Sequence, residues 1–316
     1  MSAQFYQIPG NPAPERAITG FFTGDRGRQI RYAVFGATGR PMKGTVVVLT
    51  GRNECIEKYF ETISDLAKRG FGVAIMDWRG QGASERLLKD PQRGYVERFS
   101  SYTKDIDRFF SEIVLPDCRG PYYVLGHSTG ALAALTAVPI LVNRVRRMAL
   151  IAPLIGVDNV PFSVKWLKRI TGFLRGVGLG WLYVSGGPWA PTPFEANVVT
   201  SDPDRYRRNV LLYETYPQLS VGSPTVAWMN AVSTASEMVR NPDYCARIQI
   251  PILLIAAGAD TVVSTRAIEG YARRLRSGHI VTIDGARHEI LQELDFYREQ
   301  FWAAFDAFIP GSGDES

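Results

Sequence analysis

A serine between two glycines is the first feature of this sequence that could do chemistry. Residues 126–130 read G-H-S-T-G, follow the apolar run Tyr122–Leu125 and precede a stretch of helical character. In such a strand–turn–helix setting the glycines permit a strained turn that exposes the Ser128 hydroxyl, and the start of the helix adds positive potential. The pattern predicts that Ser128 is a nucleophile; a tight turn with an idle serine is the alternative.

A serine becomes nucleophilic beside a base, and the sequence contains three histidines. His127 adjoins Ser128, so the two side chains should point apart, and we expect His127 to pack or to hydrogen-bond locally. His279 begins a predicted strand near the opposite edge of the sheet. His288 follows the last predicted strand, at the edge where open α/β sheets gather their binding groups. Position and elimination therefore favour His288 as the general base over an idle loop histidine.

A third group should orient His288 and stabilise its charged form. Asp260 follows the apolar run Ile252–Ile255 on another loop at the same edge, and the chain order serine, aspartate, histidine is a known order for such triads. We therefore expect Asp260 to be this group. Asp158 and Asp284 are its rivals, and a surface aspartate in a turn is the alternative for each of the three.

A carbonyl attacked by serine develops negative charge, which two backbone N–H groups should stabilise. One should belong to Thr129, the residue after the nucleophile. The other should come from the loop after Thr45–Leu49, and we expect it to be the N–H of Arg52. The Arg52 side chain is then left for another role or for a salt bridge.

The elements that must position these residues alternate between short apolar runs and longer helical stretches. A β-hairpin is predicted at Ala17–Thr23 and Gln29–Phe35. Fully apolar strands suit a parallel sheet covered on both faces, and their alternation with helices indicates an α/β doubly wound fold. The predicted strands are Thr45–Leu49, Val73–Met76, Tyr122–Leu125, Met148–Ile151, Ile252–Ile255 and His279–Ile283. The predicted helices are Glu54–Arg69, Tyr102–Val114, Ser128–Val142, Thr265–Arg276 and Asp295–Phe308.

The segment from Pro153 to Arg247 interrupts this alternation, because helical patterns separated by Gly/Pro clusters replace the strands. We interpret it as a helical cap that lies on the sheet beside the predicted site. Extra helices packed beside the core are the alternative. The predicted domains are a core formed by 1–153 and 248–316 and a cap at 154–247.

Within the cap, Pro161–Tyr183 carries basic residues and no acidic residue. Apolar residues recur at helical spacing, which predicts a basic amphipathic helix. One interpretation is a lid that touches a membrane surface or anionic headgroups; the other is a cap helix that packs its apolar side on the core. In either case the apolar face suits an acyl chain. The cations are Lys165, Lys168, Arg169 and Arg175, and the apolar residues are Phe162, Trp166, Ile170, Phe173, Leu174 and Val177.

Composition argues against several classes of function. A formal net charge of +5 is too small to indicate nucleic-acid binding. Three scattered cysteines give no disulfide framework and the N-terminus does not read as a signal peptide, so we expect a cytoplasmic protein. Peripheral contact with the inner face of the membrane is expected if the basic cap helix is a lid. No apolar run is long enough to span a bilayer. Without metal-ligand spacing or a nucleotide fingerprint, we expect no metal and no cofactor.

Several stretches of the sequence are similar to one family. They are residues 126–130, T-G-R-N-E at 50–54 with Lys58-Tyr59, D-W-R-G-Q-G-A-S at 77–84, T-S-D at 200–202 and A-R-H-E-I-L at 286–291. Through them the sequence resembles the lysophospholipase L2 and monoacylglycerol lipase group of α/β-hydrolases. The resemblance implies a mostly parallel eight-stranded sheet and cleavage of a carboxylic ester in an acyl glycerol or a lysophospholipid. It also implies the triad Ser128, Asp260 and His288 and an oxyanion donor at Arg52. Monoglyceride lipases usually have His-Gly where this sequence has Thr50-Gly51.

The sequence thus predicts a serine hydrolase that cleaves monoacyl lipid esters through an acyl-enzyme on Ser128. A thioesterase, peptidase, acyltransferase or perhydrolase with the same triad is the alternative. A non-catalytic binding protein of this fold would not need to keep Ser128, Asp260 and His288, which argues against that class. The serine at position 128 also excludes dehalogenase and epoxide hydrolase chemistry, since both need a carboxylate nucleophile.

Overall fold

Eight β-strands form one sheet at the centre of the molecule. A computed structural model describes residues 4–156 and 164–311. The strands are β1 (Ala17–Thr23), β2 (Gln29–Phe35), β3 (Gly44–Leu49), β4 (Phe71–Met76), β5 (Tyr122–His127), β6 (Val145–Ile151), β7 (Ile252–Ala257) and β8 (Gly278–Ile283). Their order in the sheet is β1-β2-β4-β3-β5-β6-β7-β8. The hairpin and the mostly parallel eight-stranded sheet are therefore confirmed.

The parallel and antiparallel parts of the sheet are distributed as the sequence pattern indicates. β2 pairs antiparallel with β1 and with β4, and all other neighbours are parallel. Every residue of β3, β4 and β7 is buried, which explains why these strands are apolar without alternation. The sheet is therefore covered on both faces, and its loops are left to carry polar chemistry.

The helices follow the predicted order. Several begin or end a few residues from the predicted bounds, and two differ more in their course. The helix predicted at Ser128–Val142 is divided in two after Thr136, because Pro139 has no N–H to continue the helical hydrogen bonds. The helix predicted from Glu54 becomes α-helical only at Phe60, after a 3₁₀ turn. The helices are α1 (Phe60–Lys68), α2 (Ser100–Phe109), α3 (Leu115–Asp117), α4 (Thr129–Thr136), α5 (Val138–Leu141), α6 (Val164–Gly176), α7 (Pro203–Thr215), α8 (Val226–Val239), α9 (Pro242–Ala246), α10 (Thr265–Ala272) and α11 (Asp295–Asp306).

The described residues between β6 and β7 form helices α6 to α9 and only isolated β-bridges, such as that joining Tyr183 to Thr225. α6 packs on α8, and α8 packs on α4 of the core. The predicted basic helix corresponds to α6, whose described side chains include exposed Trp166, Ile170 and Phe173; Val177 is also exposed, just after the helix ends. Phe162 and the rival acid Asp158 lie outside the described residues. Among the described helices, none combines the length and the apolarity that crossing a membrane requires.

Candidate active site

Ser128 lies in a sharp turn between β5 and α4. Its φ of 50° and ψ of −110° are a backbone conformation that a residue with a side chain adopts only under strain. The flanking glycines explain how the turn fits: a Cβ on Gly130 would lie 2.0 Å from the Leu49 carbonyl oxygen, and one on Gly126 would lie 2.9 Å from Ala131 Cα. The helix can therefore start directly against the end of β3, which holds the Ser128 hydroxyl at the carboxyl edge of the sheet.

The structure brings Ser128, His288 and Asp260 together. His288 Nε2 lies 3.1 Å from Ser128 Oγ, and His288 Nδ1 lies 2.8 Å from Asp260 Oδ2. An ionised carboxylate only accepts hydrogen bonds, so Asp260 holds the imidazole proton on Nδ1 and leaves Nε2 able to accept from the serine hydroxyl. This connectivity is the one that allows a serine proton to be removed as the hydroxyl attacks.

Asp260 occupies a tight turn after β7 that keeps its carboxylate ionised. Its other oxygen, Oδ1, accepts from the N–H groups of Val262 (2.7 Å) and Val263 (2.9 Å). Burial alone would raise the pKa of Asp260, but the bond to His288 and these N–H groups lower it below its ordinary value. The rival Asp284 is exposed in the turn after β8 and makes no hydrogen bond to His288.

Of the two predicted oxyanion donors, Thr129 directly follows Ser128, and Arg52 lines the same cavity as Ser128. Thr129 is the first residue of α4, so its N–H has no acceptor within the helix. On the loop after β3, the N–H groups on both sides of Arg52 are occupied, since Gly51 N donates to Glu54 and Asn53 N donates to Gln81 Oε1 (2.7 Å). The Arg52 N–H itself donates to none of the described residues. A fixed loop therefore presents one unused donor.

His127 belongs to a buried polar network that the sequence pattern did not predict. Its Nδ1 lies 3.2 Å from Glu54 Oε2 and its Nε2 lies 3.2 Å from the His288 carbonyl oxygen. His127 was expected to pack or to hydrogen-bond locally; it is buried, but both of its hydrogen-bond partners are distant in the chain. Burial alone would lower the pKa of His127, but the Glu54 carboxylate outweighs burial and raises it. Two acceptors flanking the ring favour the imidazolium form.

Lys58 extends this network to the loop that carries His288. Its Nζ donates to Glu54 Oε1 (3.0 Å) and to Glu289 Oε1 (2.7 Å), and Tyr59 Oη donates to Glu54 Oε2 (2.6 Å). The charged form of Glu54 is thus stabilised from several sides, and its pKa lies well below the ordinary value in spite of burial. The i,i+4 spacing of Glu54 and Lys58 was visible in the sequence, but their contact with residue 289 was not.

The D-W-R-G-Q-G-A-S stretch at 77–84 forms hydrogen bonds with the loop that follows β3 and carries Arg52. Asp77 accepts from Ile56 N (2.9 Å) and Ala83 N (2.8 Å), and it is bonded to the buried Arg31. Gln81 Oε1 holds Asn53 N, next to Arg52. Through these bonds the stretch holds the backbone on both sides of the loop that carries Arg52, the predicted oxyanion donor.

A cavity of about 330 Å³ opens at Ser128 and His288. Its wall is mainly apolar, with Leu154 and Val199 among the lining residues and several side chains of α8. Those from α8 are Trp228, Met229, Val232, Ser233 and Ser236. A mainly apolar wall with a few polar groups at one end is typical of a site for a ligand with an alkyl chain. Within residues 4–156 and 164–311, no cluster of His, Cys, Asp and Glu side chains could hold a metal ion.

Comparison with known proteins places this geometry in a family. Residues 40–295 match the family described as serine aminopeptidase, S33. Lysophospholipase L2 of Escherichia coli (strain K12) is 34% identical over an alignment of 290 positions, which covers 88% of this chain and 83% of that protein.

Solved structures show the same fold. A monoacylglycerol lipase of Paleococcus ferrophilus superposes with a TM-score of 0.70 at 22% identity, covering 88% of this chain and 97% of that one. A carboxyl esterase of Bacillus coagulans gives 0.74 at 19% identity, covering 94% and 99%. The fold is therefore that of the α/β-hydrolases, and the resemblance seen in the sequence is confirmed. The chain belongs to the serine aminopeptidase S33 family of α/β-hydrolases.

Proposed function

We propose that this protein is a serine hydrolase that cleaves the carboxylic ester of a monoacyl lipid. The observation that carries the proposal is the Ser128–His288–Asp260 chain of hydrogen bonds at the end of a largely apolar cavity of about 330 Å³. A polar reacting end and an apolar remainder match an ester that links one acyl chain to a polar alcohol.

In the proposed reaction, Ser128 Oγ attacks the ester carbonyl while His288 Nε2 takes its proton. The N–H groups of Thr129 and Arg52 stabilise the negative charge on the carbonyl oxygen. His288 then returns the proton to the departing alcohol, which leaves an acyl-enzyme on Ser128. Water, deprotonated by His288, releases the fatty acid and restores the serine. Asp260 stabilises the histidine cation in both halves of the reaction.

The relatives support a lipid substrate, since one is named a lysophospholipase and a solved neighbour is named a monoacylglycerol lipase. An aminopeptidase, as the family description suggests, would need an acidic group to bind a substrate ammonium. Glu54 and Glu289 line the cavity, but both already bind Lys58. This pairing favours an ester with an apolar chain over a peptide with a free amino terminus.

The segment 154–247 serves in this proposal as a cap on a core formed by 1–153 and 248–316. Pro224 and the α8 side chains Trp228 and Met229 line the same cavity as Ser128 and His288. The acyl chain would then lie between the cap and the sheet. Residues of the cap would then select the acyl chain, whereas residues of the core would cleave the ester bond.

The cap also carries the surface that would reach lipid. On α6, the side chains of Trp166 and Phe173 are 58% and 70% exposed, and Arg169 and Arg175 are exposed on the same helix. If Trp166 and Phe173 packed on the core, as in the alternative interpretation, their side chains would be buried. Exposed aromatic residues beside cations are the composition of a helix that lies at a membrane interface. Peripheral membrane contact through α6 is therefore part of the proposal.

Rates of hydrolysis on a matched panel of substrates test the proposed function. The panel contains a lysophospholipid, a monoacylglycerol, a short p-nitrophenyl ester, an acyl thioester and an aminoacyl peptide, with the Ser128→Ala protein as the blank. We expect the highest kcat/KM on one of the two monoacyl lipids. A higher value on the peptide or the thioester, or no hydrolysis of either lipid, would contradict the proposal.

A further inference from the structure

Arg52 places a cation in the wall of the cavity that holds Ser128. Its backbone N–H is the proposed oxyanion donor, and its residue lines the cavity together with Ser128 and His288. Among the lining residues that the structure describes, it is the one lysine or arginine. The two carboxylates in the same wall, Glu54 and Glu289, are both bonded to Lys58 and leave no negative charge for Arg52.

The Arg52 guanidinium is poorly satisfied by the protein. Nη2 donates to the carbonyl of Gly222, whereas Nε is buried and has no acceptor among the described residues. The group lies 5.3 Å above the ring of Trp228 and forms no ion pair within the described part of the chain. Burial lowers the pKa of Arg52 to about 10, which shows that its charge is short of compensation. A buried cation without an anion is costly to maintain.

Several other buried arginines of this structure have a carboxylate partner, unlike Arg52. Arg31 binds the carboxylates of Glu57 and Asp77, and Arg79 binds that of Asp105. Arg208 and Arg298 also have a buried Nε without an acceptor, but both bind Glu61.

Arg86 is the close match to Arg52, since burial lowers its pKa to about 10 as well. It differs in its partners, because its guanidinium donates to the carbonyl oxygens of Gly80, Gln218 and Ser220. Arg86 is thus used to hold loops together. Arg52 retains donor capacity, and it does so at the wall of the cavity.

The groups behind Arg52 add further donors and no carboxylate. Trp228 Nε1 and Gln81 Nε2 are buried without an acceptor among the described residues, and the Gln81 carbonyl is already taken by Asn53 N. Both side chains lie close enough to the Tyr102 hydroxyl to affect its pKa, yet neither makes a hydrogen bond of normal geometry with it. None of these groups supplies a negative charge, so the Arg52 guanidinium remains without an anion beside it.

We propose that the Arg52 side chain binds the phosphate of a lysophospholipid substrate and so selects this substrate over a monoacylglycerol. The proposal rests on the proposed function, because it concerns the alcohol half of the same ester. The Arg52 N–H would face the ester carbonyl, and the phosphate is joined to that ester through the glycerol carbons. A guanidinium fork matches phosphate oxygens in charge and in geometry. A monoacylglycerol offers only a hydroxyl there and would leave the cation unpaired.

The test compares two lipids with the same acyl chain, 1-palmitoyl-lysophosphatidylethanolamine and 1-palmitoylglycerol, in neutral detergent micelles. For the wild type we expect a higher kcat/KM on the lysophospholipid. Arg52→Gln should lower the ratio of the two kcat/KM values by about tenfold to a hundredfold, as loss of a hydrogen bond to a charged group does. Arg52→Lys should keep part of the preference. The matched control Arg86→Gln should leave the ratio at its wild-type value.

Equal losses on both lipids in Arg52→Gln would overturn the inference, since Arg52 would then only position the loop or the cap. Inhibition of p-nitrophenyl butyrate hydrolysis gives a second readout that needs no lipid. Glycerol 3-phosphate should inhibit the wild type at least about tenfold more strongly than Arg52→Gln, and inorganic phosphate in a parallel arm separates the phosphate group from the whole headgroup. Equal inhibition of both proteins would also overturn it. Failure of the wild type to cleave either lipid would instead contradict the proposed function.

Discussion

The two walls of the cavity are built in opposite ways. On the core side, the catalytic groups are joined by hydrogen bonds: Ser128 meets His288, His288 meets Asp260, and His127 meets Glu54. On the side of the proposed cap, α8 contributes mainly apolar side chains to the cavity, and α6, which packs on α8, leaves aromatic residues exposed to solvent. The core wall is fixed by directional bonds and is suited to chemistry. The wall formed by α8 is mainly apolar, which suits the acyl chain that we propose it holds.

The largest effect should come from the core wall. Ser128→Ala should reduce ester hydrolysis by about three to six decades, because no nucleophile remains. Circular dichroism should show an intact fold, and binding to anionic vesicles should be unchanged, since α6 is not touched. Residual labelling of this variant by an alkyl fluorophosphonate would show that another side chain is the nucleophile.

A substitution at Asp260 tests whether His288 needs the carboxylate that orients it. Asp260→Asn should lower kcat by about four decades, because an amide can donate to Nδ1 and so favours the wrong histidine tautomer. Asp284→Asn is the matched control on the neighbouring loop, where the carboxylate is exposed, and it should cost less than about tenfold. A larger loss for Asp284→Asn than for Asp260→Asn would contradict the assignment.

Glu54 tests the network that supports both catalytic loops. Glu54→Gln should lower the free energy of unfolding by about 3–5 kcal/mol at pH 7, since it leaves buried cations without their anion. The folded-state pKa of Glu54 lies well below the ordinary value, so its charge stabilises the fold above the ordinary carboxyl pKa. That stabilisation is lost as the pH falls through the folded-state pKa.

Urea denaturation at a series of pH values measures this effect. The difference between wild type and Glu54→Gln should be full at pH 7 and should shrink only in strongly acidic solution. Glu195→Gln, at an exposed position, serves as the control and should change stability little at any pH. A difference that does not depend on pH would show that the Glu54 charge contributes nothing.

The smallest effects should come from α6. Arg169→Gln should weaken binding to anionic vesicles by about 1 kcal/mol, or about fivefold, and added salt should have a similar effect. Phe173→Ser should weaken binding to neutral vesicles as well, because it removes apolar surface. Phe296→Ser is the matched control, since Phe296 is 69% exposed on a different helix, α11. Equal binding by all three variants and the wild type would exclude α6 as the contact surface.

The sequence could predict the features of the core that depend on local signals. The sheet followed from fully apolar runs, and the carboxyl-edge loops followed from the strand order, which brought Ser128, Asp260 and His288 to one edge. These are local signals with a strong physical cause. The division of the helix after Thr136 also had a visible cause in Pro139, although the pattern was interpreted as one continuous helix.

The features that the sequence did not predict depend on contacts between distant parts of the chain. Lys58 meets Glu289 across 231 residues, and His127 meets Glu54 across 73. No periodicity or spacing specifies such pairs, and for His127 the sequence predicted only packing or local hydrogen bonds. Whether the apolar side of α6 would be buried or exposed was equally undetermined, because both arrangements give the same amphipathic pattern.

The acyl-enzyme is the most direct test of the central claim, that this protein cleaves a monoacyl lipid ester through Ser128. Wild-type protein is mixed with 1-palmitoyl-lysophosphatidylethanolamine, quenched in acid during turnover, digested and mapped by mass spectrometry. We predict a palmitoyl adduct on the peptide that contains Ser128, and none on the same peptide from Ser128→Ala. Steady release of palmitate without any such adduct, or an adduct on a different side chain, would contradict the account.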